Sequence, residues 1–341
     1  MAKIVVTGGA GYIGSVMVPR LLRQGHEVTV LDRCFFGVKP LSQVLQHPQM
    51  RLVKDDTRFV DASVFDGQDV VIDLAGLAND PACDLDPQLT DQINYRGAAR
   101  MANLAKERGV KRYIYSSTCS IYGHGEELQL SEDSPKRPVS EYARAKLRAE
   151  EAILPLSSPE FSVTFLRNAT LFGLSPKMRF DLVVNVMTLF AFTDGKIYIL
   201  GGGEQWRPIV HIEDVCRAFE AVLEAPLEKV QGHAFNVGHS RLNYQVITMA
   251  RMVKRIIPGT ELVIVPDDPD KRTYNVNFDK IHDVLGFTTS KDLADGVKEI
   301  HDALLANKVK YDVRSRTVEF YRFLIDAERT LNDVMIDGRL F

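Results

Sequence analysis

Two rhythms alternate along the first half of the chain. Short runs rich in branched residues, at 3–7, 27–31, 51–54, 70–74, 112–115 and 162–166, predict strands, and the unbroken Val70-Val71-Ile72-Asp73-Leu74 suits one buried on both faces. Between them the apolar spacing turns helical, over about 11–24, 89–108 and 142–152. Gly25 and Gly109 stand where two of these helices should stop. Strand, helix, strand in this order predicts a doubly wound parallel sheet of the Rossmann type, with α/β class throughout.

After Arg167 the rhythm loosens into isolated short strands, scattered helices and a Gly201-Gly202-Gly203 turn. The chain is thus expected to divide into a dinucleotide-binding domain over 1–170, a smaller mixed α/β lobe over 171–310 and a helical extension over 311–341. Val318 to Ile325 reads as an amphipathic helix that packs on the body or on a second subunit.

The turn Thr7-Gly8-Gly9-Ala10-Gly11-Tyr12-Ile13-Gly14 lies between the first strand and its helix. Glycines there let the backbone approach a pyrophosphate, while the helix N-terminus offers free N–H groups and partial positive charge. Asp32 ends the second strand, where a carboxylate accepts from both ribose hydroxyls and repels a 2′-phosphate, which favours NAD. Arg33 beside it is the residue that would favour NADP instead.

A second constellation adds chemistry. Tyr142 and Lys146 are spaced i, i+4, so both project from one helix face, and a nearby ammonium favours phenolate. The run Tyr115-Ser116-Ser117-Thr118-Cys119-Ser120 follows the fifth strand and reads as a hydroxyl-bearing loop at the carboxyl edge of the sheet, where open α/β sheets bind ligands.

Together, and in this order, these motifs resemble the extended short-chain dehydrogenase/reductases, and among them the NAD-dependent epimerase/dehydratase family acting on nucleotide-sugars. The resemblance runs to about residue 300. It includes Asp56-Thr57 as the adenine edge, Leu74-Ala75-Gly76, Asn94, Leu166-Arg167, Phe172-Gly173, the Gly203 to Asp214 segment, Phe235 to Gly238 and Arg272 to Lys280. It implies a proton-transferring Thr118–Tyr142–Lys146 set. It also implies a cofactor site of Gly8, Gly11, Tyr12, Ile13, Gly14, Asp32, Arg33, Asp56, Thr57, Leu74, Ala75, Gly76, Asn94 and Ser116, and a homodimer built through the helices at 89–108 and 142–152. Arg207 and Arg272 would clamp a nucleotide diphosphate, as guanidinium forks do. Asn185 is expected as a phosphate contact in place of the missing asparagine, and Cys119 as a substrate contact.

Two departures bear on the reaction. Dehydratases of this family carry an Asp-Glu pair directly after the threonine; here Cys119 and Ser120 stand there, so dehydration is disfavoured. The family's Arg-x-x-Asn after strand six is here Arg167-Asn168-Ala169-Thr170. The expected activity is epimerisation at C4 of a nucleotide-sugar. The alternative is a nucleotide-sugar ketoreductase or dehydrogenase. A non-enzymatic dinucleotide sensor would be expected to lack the tyrosine or the lysine.

Composition narrows the field further. With 42 basic and 45 acidic residues the net charge of −3 gives no footprint for nucleic acid or an anionic membrane. The four cysteines form no CxxC pair and the eight histidines no ligand spacing, so no metal is expected. The opening Ile4-Val5-Val6 is too short for a signal or a span, which makes the cytoplasm the expected compartment.

Overall fold

The computed structural model describes residues 1–123, 129–266 and 272–340. Seven parallel strands form the central sheet: β1 (Lys3–Thr7), β2 (Glu27–Asp32), β3 (Met50–Lys54), β4 (Val70–Asp73), β5 (Arg112–Thr118), β6 (Ser162–Asn168) and, later in the chain, His233–Val237. Their order across the sheet is His233–Val237, β6, β5, β4, β1, β2, β3. Order reverses between β1 and β4, which opens a crevice at their carboxyl ends, the place where such sheets bind ligands.

The expected strands are all present, and β5 is longer than expected. It pairs with β6 residue for residue, from Arg112 with Ser162 to Thr118 with Asn168. Ser116, Ser117 and Thr118 are therefore strand residues with fixed orientations and not a loop; the turn follows, over Cys119–Tyr122.

The helix expected over 89–108 is composite. A short Pro87–Thr90 turn leads into wide π-helical turns at Asp91–Gly97, and only Ala98–Glu107 is regular α-helix. The wide turns seat Asn94, fully buried, against the chain that follows β4: its Oδ1 accepts from Leu77 N at 2.7 Å and its Nδ2 donates to Leu77 O at 2.9 Å. Such turns are uncommon and often sit at functional sites.

The boundary at residue 170 is not a clean cut, because His233–Val237 returns from the later part of the chain to pair with β6 in the first sheet. Helix Ile212–Glu224 likewise packs back on β5 and β6. The later residues also build a three-stranded sheet and a two-stranded sheet around a separate apolar cluster, with helices Val183–Thr193, Val246–Ile256 and Leu293–Leu305 over it.

The tail forms helix Thr317–Val334, which packs on the body through its buried Phe320 and Tyr321. Phe36, in the loop after β2, meets both rings, with centroids 5.1 and 5.5 Å away. No helix among the described residues is long and apolar enough to cross a membrane.

Candidate active site

A cleft of about 560 Å³ runs along the carboxyl edge of the sheet, between the strand ends and the later lobe. One end is the glycine turn. Gly8 has a positive φ of 66°, and a Cβ there would sit 2.9 Å from Ala75 N and Leu74 C, so only glycine lets β1 and β4 end this close together. A Cβ on Gly14 would lie 2.4 Å from Gly9 Cα. Helix Gly14–Arg23 begins here with no acidic residue in its first turn and no side-chain cap, which keeps its positive end open toward the cleft.

Tyr12 does more than the motif implies. Its hydroxyl donates to Gly173 O at 2.6 Å and Ser15 Oγ lies 3.0 Å from Ser175 Oγ, so the segment 173–175 of the later lobe is fastened directly onto the glycine turn. Asn185 completes that joint. It accepts from Gly173 N at 3.0 Å and donates to Tyr12 Oη at 3.1 Å and Arg179 O at 3.0 Å. Fully buried and outside the cleft wall, Asn185 is a structural residue and not the phosphate contact expected from sequence.

At the end of β2, Asp32 is oriented by two backbone donors, Ala10 N at 2.9 Å and Cys34 N at 2.6 Å, and it lines the cleft. Burial pushes its pKa up, and those two hydrogen bonds oppose the shift. Arg33 turns away from a 2′-phosphate role: its Nη1 donates to Asp56 Oδ2 at 2.7 Å, and its guanidinium lies over Phe35. Asp56 also accepts from Arg58 at 2.7 Å. Although burial acts in the opposite direction, the hydrogen bonds of Arg58 and Arg33 carry Asp56 down to about 2. Asp56, Thr57, Leu74, Ala75 and Gly76 line the same wall.

Thr118, Tyr142 and Lys146 meet in the middle of the cleft. Tyr142 and Lys146 project from helix Glu141–Ile153, whose N-cap Ser140 accepts from Ala143 N at 3.2 Å. Lys146 is buried; its ammonium donates to Ser116 O at 2.8 Å and lies 4.5 Å from the centre of the Tyr115 ring. Burial pulls its pKa down, while the Asp73 charge pulls it back up.

One expectation is reversed here. Burial, with the Asp80 and Cys83 groups adding to it, pushes the Tyr142 phenol well above its ordinary pKa; Arg179 and the Thr118 hydroxyl act the other way.

Cys119 departs from expectation too. Its thiol is fully buried, contacts Arg167 O at 3.1 Å and faces the core, not the cleft; burial pushes its pKa far up. Asn94 likewise stands behind the cleft wall and shapes it through Leu77.

Arg207 and Arg272 do come together, from β9 (Trp206–His211, after β7 at Thr170–Phe172 and β8 at Lys196–Leu200) and the segment beyond. Arg207 Nη1 donates to Arg272 O, and Arg272 Nη1 donates to Asp80 Oδ2 at 2.5 Å and to Ser120 Oγ at 3.4 Å. Both line the cleft.

Sequence reasoning missed Asp80, Lys177, Arg179, Asp181, Tyr274 and Tyr321, all in the cleft wall. Arg179 and Asp181 form a buried ion pair at 2.6 Å, and Asn79 Nδ2 donates to Asp181. The Asn79-Asp80-Pro81 turn signal was visible in the sequence. Tyr321 lies in the amphipathic helix read over Val318 to Ile325, where nothing local marks it as a cleft residue, and the others lie in irregular segments with no periodicity to mark them.

A family model described as the NAD dependent epimerase/dehydratase family matches residues 4–238. The chain belongs to this family. Its relatives include UDP-glucose 4-epimerase of Mycolicibacterium smegmatis (strain ATCC 700084 / mc(2)155), 28% identical over 337 residues, covering 94% of this chain and 98% of the relative. UDP-glucuronic acid decarboxylase 1 of Xenopus tropicalis is 28% identical over 311 residues, covering 88% of this chain and 71% of the relative. Among solved structures, MoeE5 in complex with UDP-glucuronic acid and NAD aligns with a TM-score of 0.79 at 25% identity, covering 89% of this chain and 99% of that one.

The protein is thus an NAD-dependent enzyme of the epimerase/dehydratase family. Its residues fit the cofactor: a glycine cradle that a Cβ would fill, a carboxylate at the end of β2, and a buried acceptor, Asn168 Oδ1, with no partner among the described residues. Asn168 donates its other end to Ser116 Oγ at 3.1 Å and lines the cleft, so its unpaired oxygen suits an N–H or hydroxyl of a ligand.

Proposed function

We propose that this enzyme inverts a carbon, C4, of a nucleotide-diphosphate sugar by transient oxidation to a keto-sugar and return of the hydride. Bound NAD supplies the hydride acceptor and, in its reduced form, the donor. The chain supplies the rest. Tyr142 accepts the proton of the sugar hydroxyl and returns it, Thr118 hydrogen-bonds the reacting oxygen, and Lys146 holds cofactor and phenol in register. Arg207 and Arg272 meet the substrate diphosphate, where bidentate geometry suits phosphate oxygens.

The observation that carries this reading is the character of the groups around Tyr142. The two positions after Thr118 hold a buried thiol and a hydroxyl that faces Arg272 and Tyr274. The carboxylates that line this part of the cleft are engaged, Asp80 with Arg272 and Ser140, and Asp181 with Arg179 and Asn79. Removal of a carbon-bound proton and expulsion of a hydroxyl call for a general acid and base of tuned pKa, and neither is in place. Hydride removal and return need only Thr118, Tyr142 and Lys146.

The test is turnover of nucleotide-sugars by protein loaded with one equivalent of NAD. An epimerase interconverts C4 epimers through many cycles without accumulating NADH. A ketoreductase or dehydrogenase stops after one turnover and leaves the cofactor in its other redox state.

A further inference from the structure

The corner of the cleft where the glycine turn, the loop after β2 and the C-terminal helix converge holds a side chain that the reaction above does not use. Lys177 lies two residues past Ser175, which is hydrogen-bonded to Tyr12 O at 2.8 Å on the glycine turn. The residue is 5% exposed and lines the cleft. The ammonium donates to Thr317 Oγ1 at 3.0 Å and stands 3.7 Å from the centre of the Phe36 ring. Among the described residues it has no ion-pair partner.

A buried ammonium with one hydroxyl and a ring face for company is costly unless something else satisfies it. Three donors are present and one is placed on Thr317. The neighbouring helix N-terminus is built for an anion, and Tyr12 and Ser15 bind Lys177's own segment to it.

We propose that Lys177 is a ligand of the cofactor's diphosphate, brought in from the later lobe and held in place by Thr317 and Phe36, so that the C-terminal helix is part of the NAD site. The anion then lies between the glycine turn on one side and an ammonium on the other. The helix Thr317–Val334, anchored through Phe320 and Tyr321 on Phe36, closes that side of the cleft.

Burial, with the charge of Arg179, pushes the Lys177 amine down to about 7, against the pull of Asp181 and Asp312. A group neutral above that pH has to take up a proton when it meets a diphosphate, whose own oxygens are already ionised. The other titratable groups at this corner are Asp32 after β2, Arg179 and Asp181 on the same segment, and Asp312 and Tyr321 on the tail. Asp181 is shifted down by Arg179 despite its burial, and Tyr321 is pushed up by burial, so neither moves toward neutrality.

The experiment is calorimetry of NAD binding to the whole chain at about pH 8 in buffers of different ionisation heat, which reads proton uptake directly. The wild type takes up close to one proton, and its affinity falls as pH rises through neutrality. Lys177→Met binds NAD about tenfold more weakly near pH 6, the loss of one charge-assisted hydrogen bond, and takes up none. Lys177→Arg, charged at all these pH values, retains affinity and loses the uptake. Wild-type NAD affinity in a folded Lys177→Met, its fold checked by circular dichroism, overturns the proposal. So does uptake that persists in Lys177→Met, which would assign the proton to another group such as Asp32.

Discussion

The Arg167 guanidinium grips the Glu150 carboxylate with Nε at 3.0 Å and Nη2 at 2.6 Å, both side chains 7% exposed, and Ser117 Oγ donates to the same carboxylate at 2.5 Å. Three elements meet at that point: β6 through Arg167, β5 through Ser117, and the Tyr142 helix through Glu150. Thr118 is the next residue on β5 and Tyr142 lies two turns before Glu150 on the helix. The pair therefore sets how the Thr118 hydroxyl and the Tyr142 phenol face each other. Removing one partner of a buried pair leaves the other uncompensated, so Glu150→Ala should cost about 3–5 kcal/mol in denaturant unfolding. A loss under about 1 kcal/mol, the range of an exposed pair, would mean the grip is not structural.

Tyr142→Phe deletes the proton carrier and little else. Turnover should fall by about 10²–10⁴-fold, the usual contribution of a positioned acid–base group, with NAD binding near that of the wild type. Retained turnover in steady-state assays would remove Tyr142 from the proton path.

Cofactor choice rests on Asp32 and on the fate of Arg33. Because Asp56 holds Arg33, the wild type should bind NAD well ahead of NADP. Asp32→Gly should weaken NAD by roughly 10–100-fold, the worth of a charged hydrogen-bonding group, and narrow the preference. Equal binding of the two dinucleotides by the wild type, in a titration, would show that Arg33 leaves Asp56 for the 2′-phosphate.

Substrate diphosphate recognition by the paired arginines is separable from cofactor binding. Arg207→Ala should raise KM for the nucleotide-sugar by about 10–100-fold without changing NAD affinity, and a lysine should restore little, lacking the fork. An unchanged KM would place the diphosphate elsewhere.

Asn185 tests the difference between a motif and a place in the fold. Its side chain is saturated by Gly173, Tyr12 and Arg179, so Asn185→Ala should cost about 1–3 kcal/mol of stability through stranded buried groups. A large KM change with no loss of stability would return Asn185 to the substrate.

What the sequence made legible was whatever a local pattern carries. The Gly8–Gly14 turn, Asp32 and the Tyr142–Lys146 spacing each follow from a few neighbouring residues, and each stands in the cleft. Side-chain direction was harder to see. Cys119 follows Thr118, yet one faces the core and the other the cleft, which shows only once β5 is known to end at Thr118 and the chain to turn at Cys119. Long-range partners were harder still. Lys146 donates to Ser116 O, thirty residues back, and Lys177 meets Thr317, 140 residues on. No periodicity records those meetings.

The most direct test of the central claim is the fate of a nucleotide-sugar in deuterated water, followed by NMR with the NAD-loaded enzyme. Hydride removal and return at C4 predicts an inverted C4 with no deuterium on any sugar carbon. Deuterium at C3 or C5, or a product that has lost water or carbon dioxide, would contradict it.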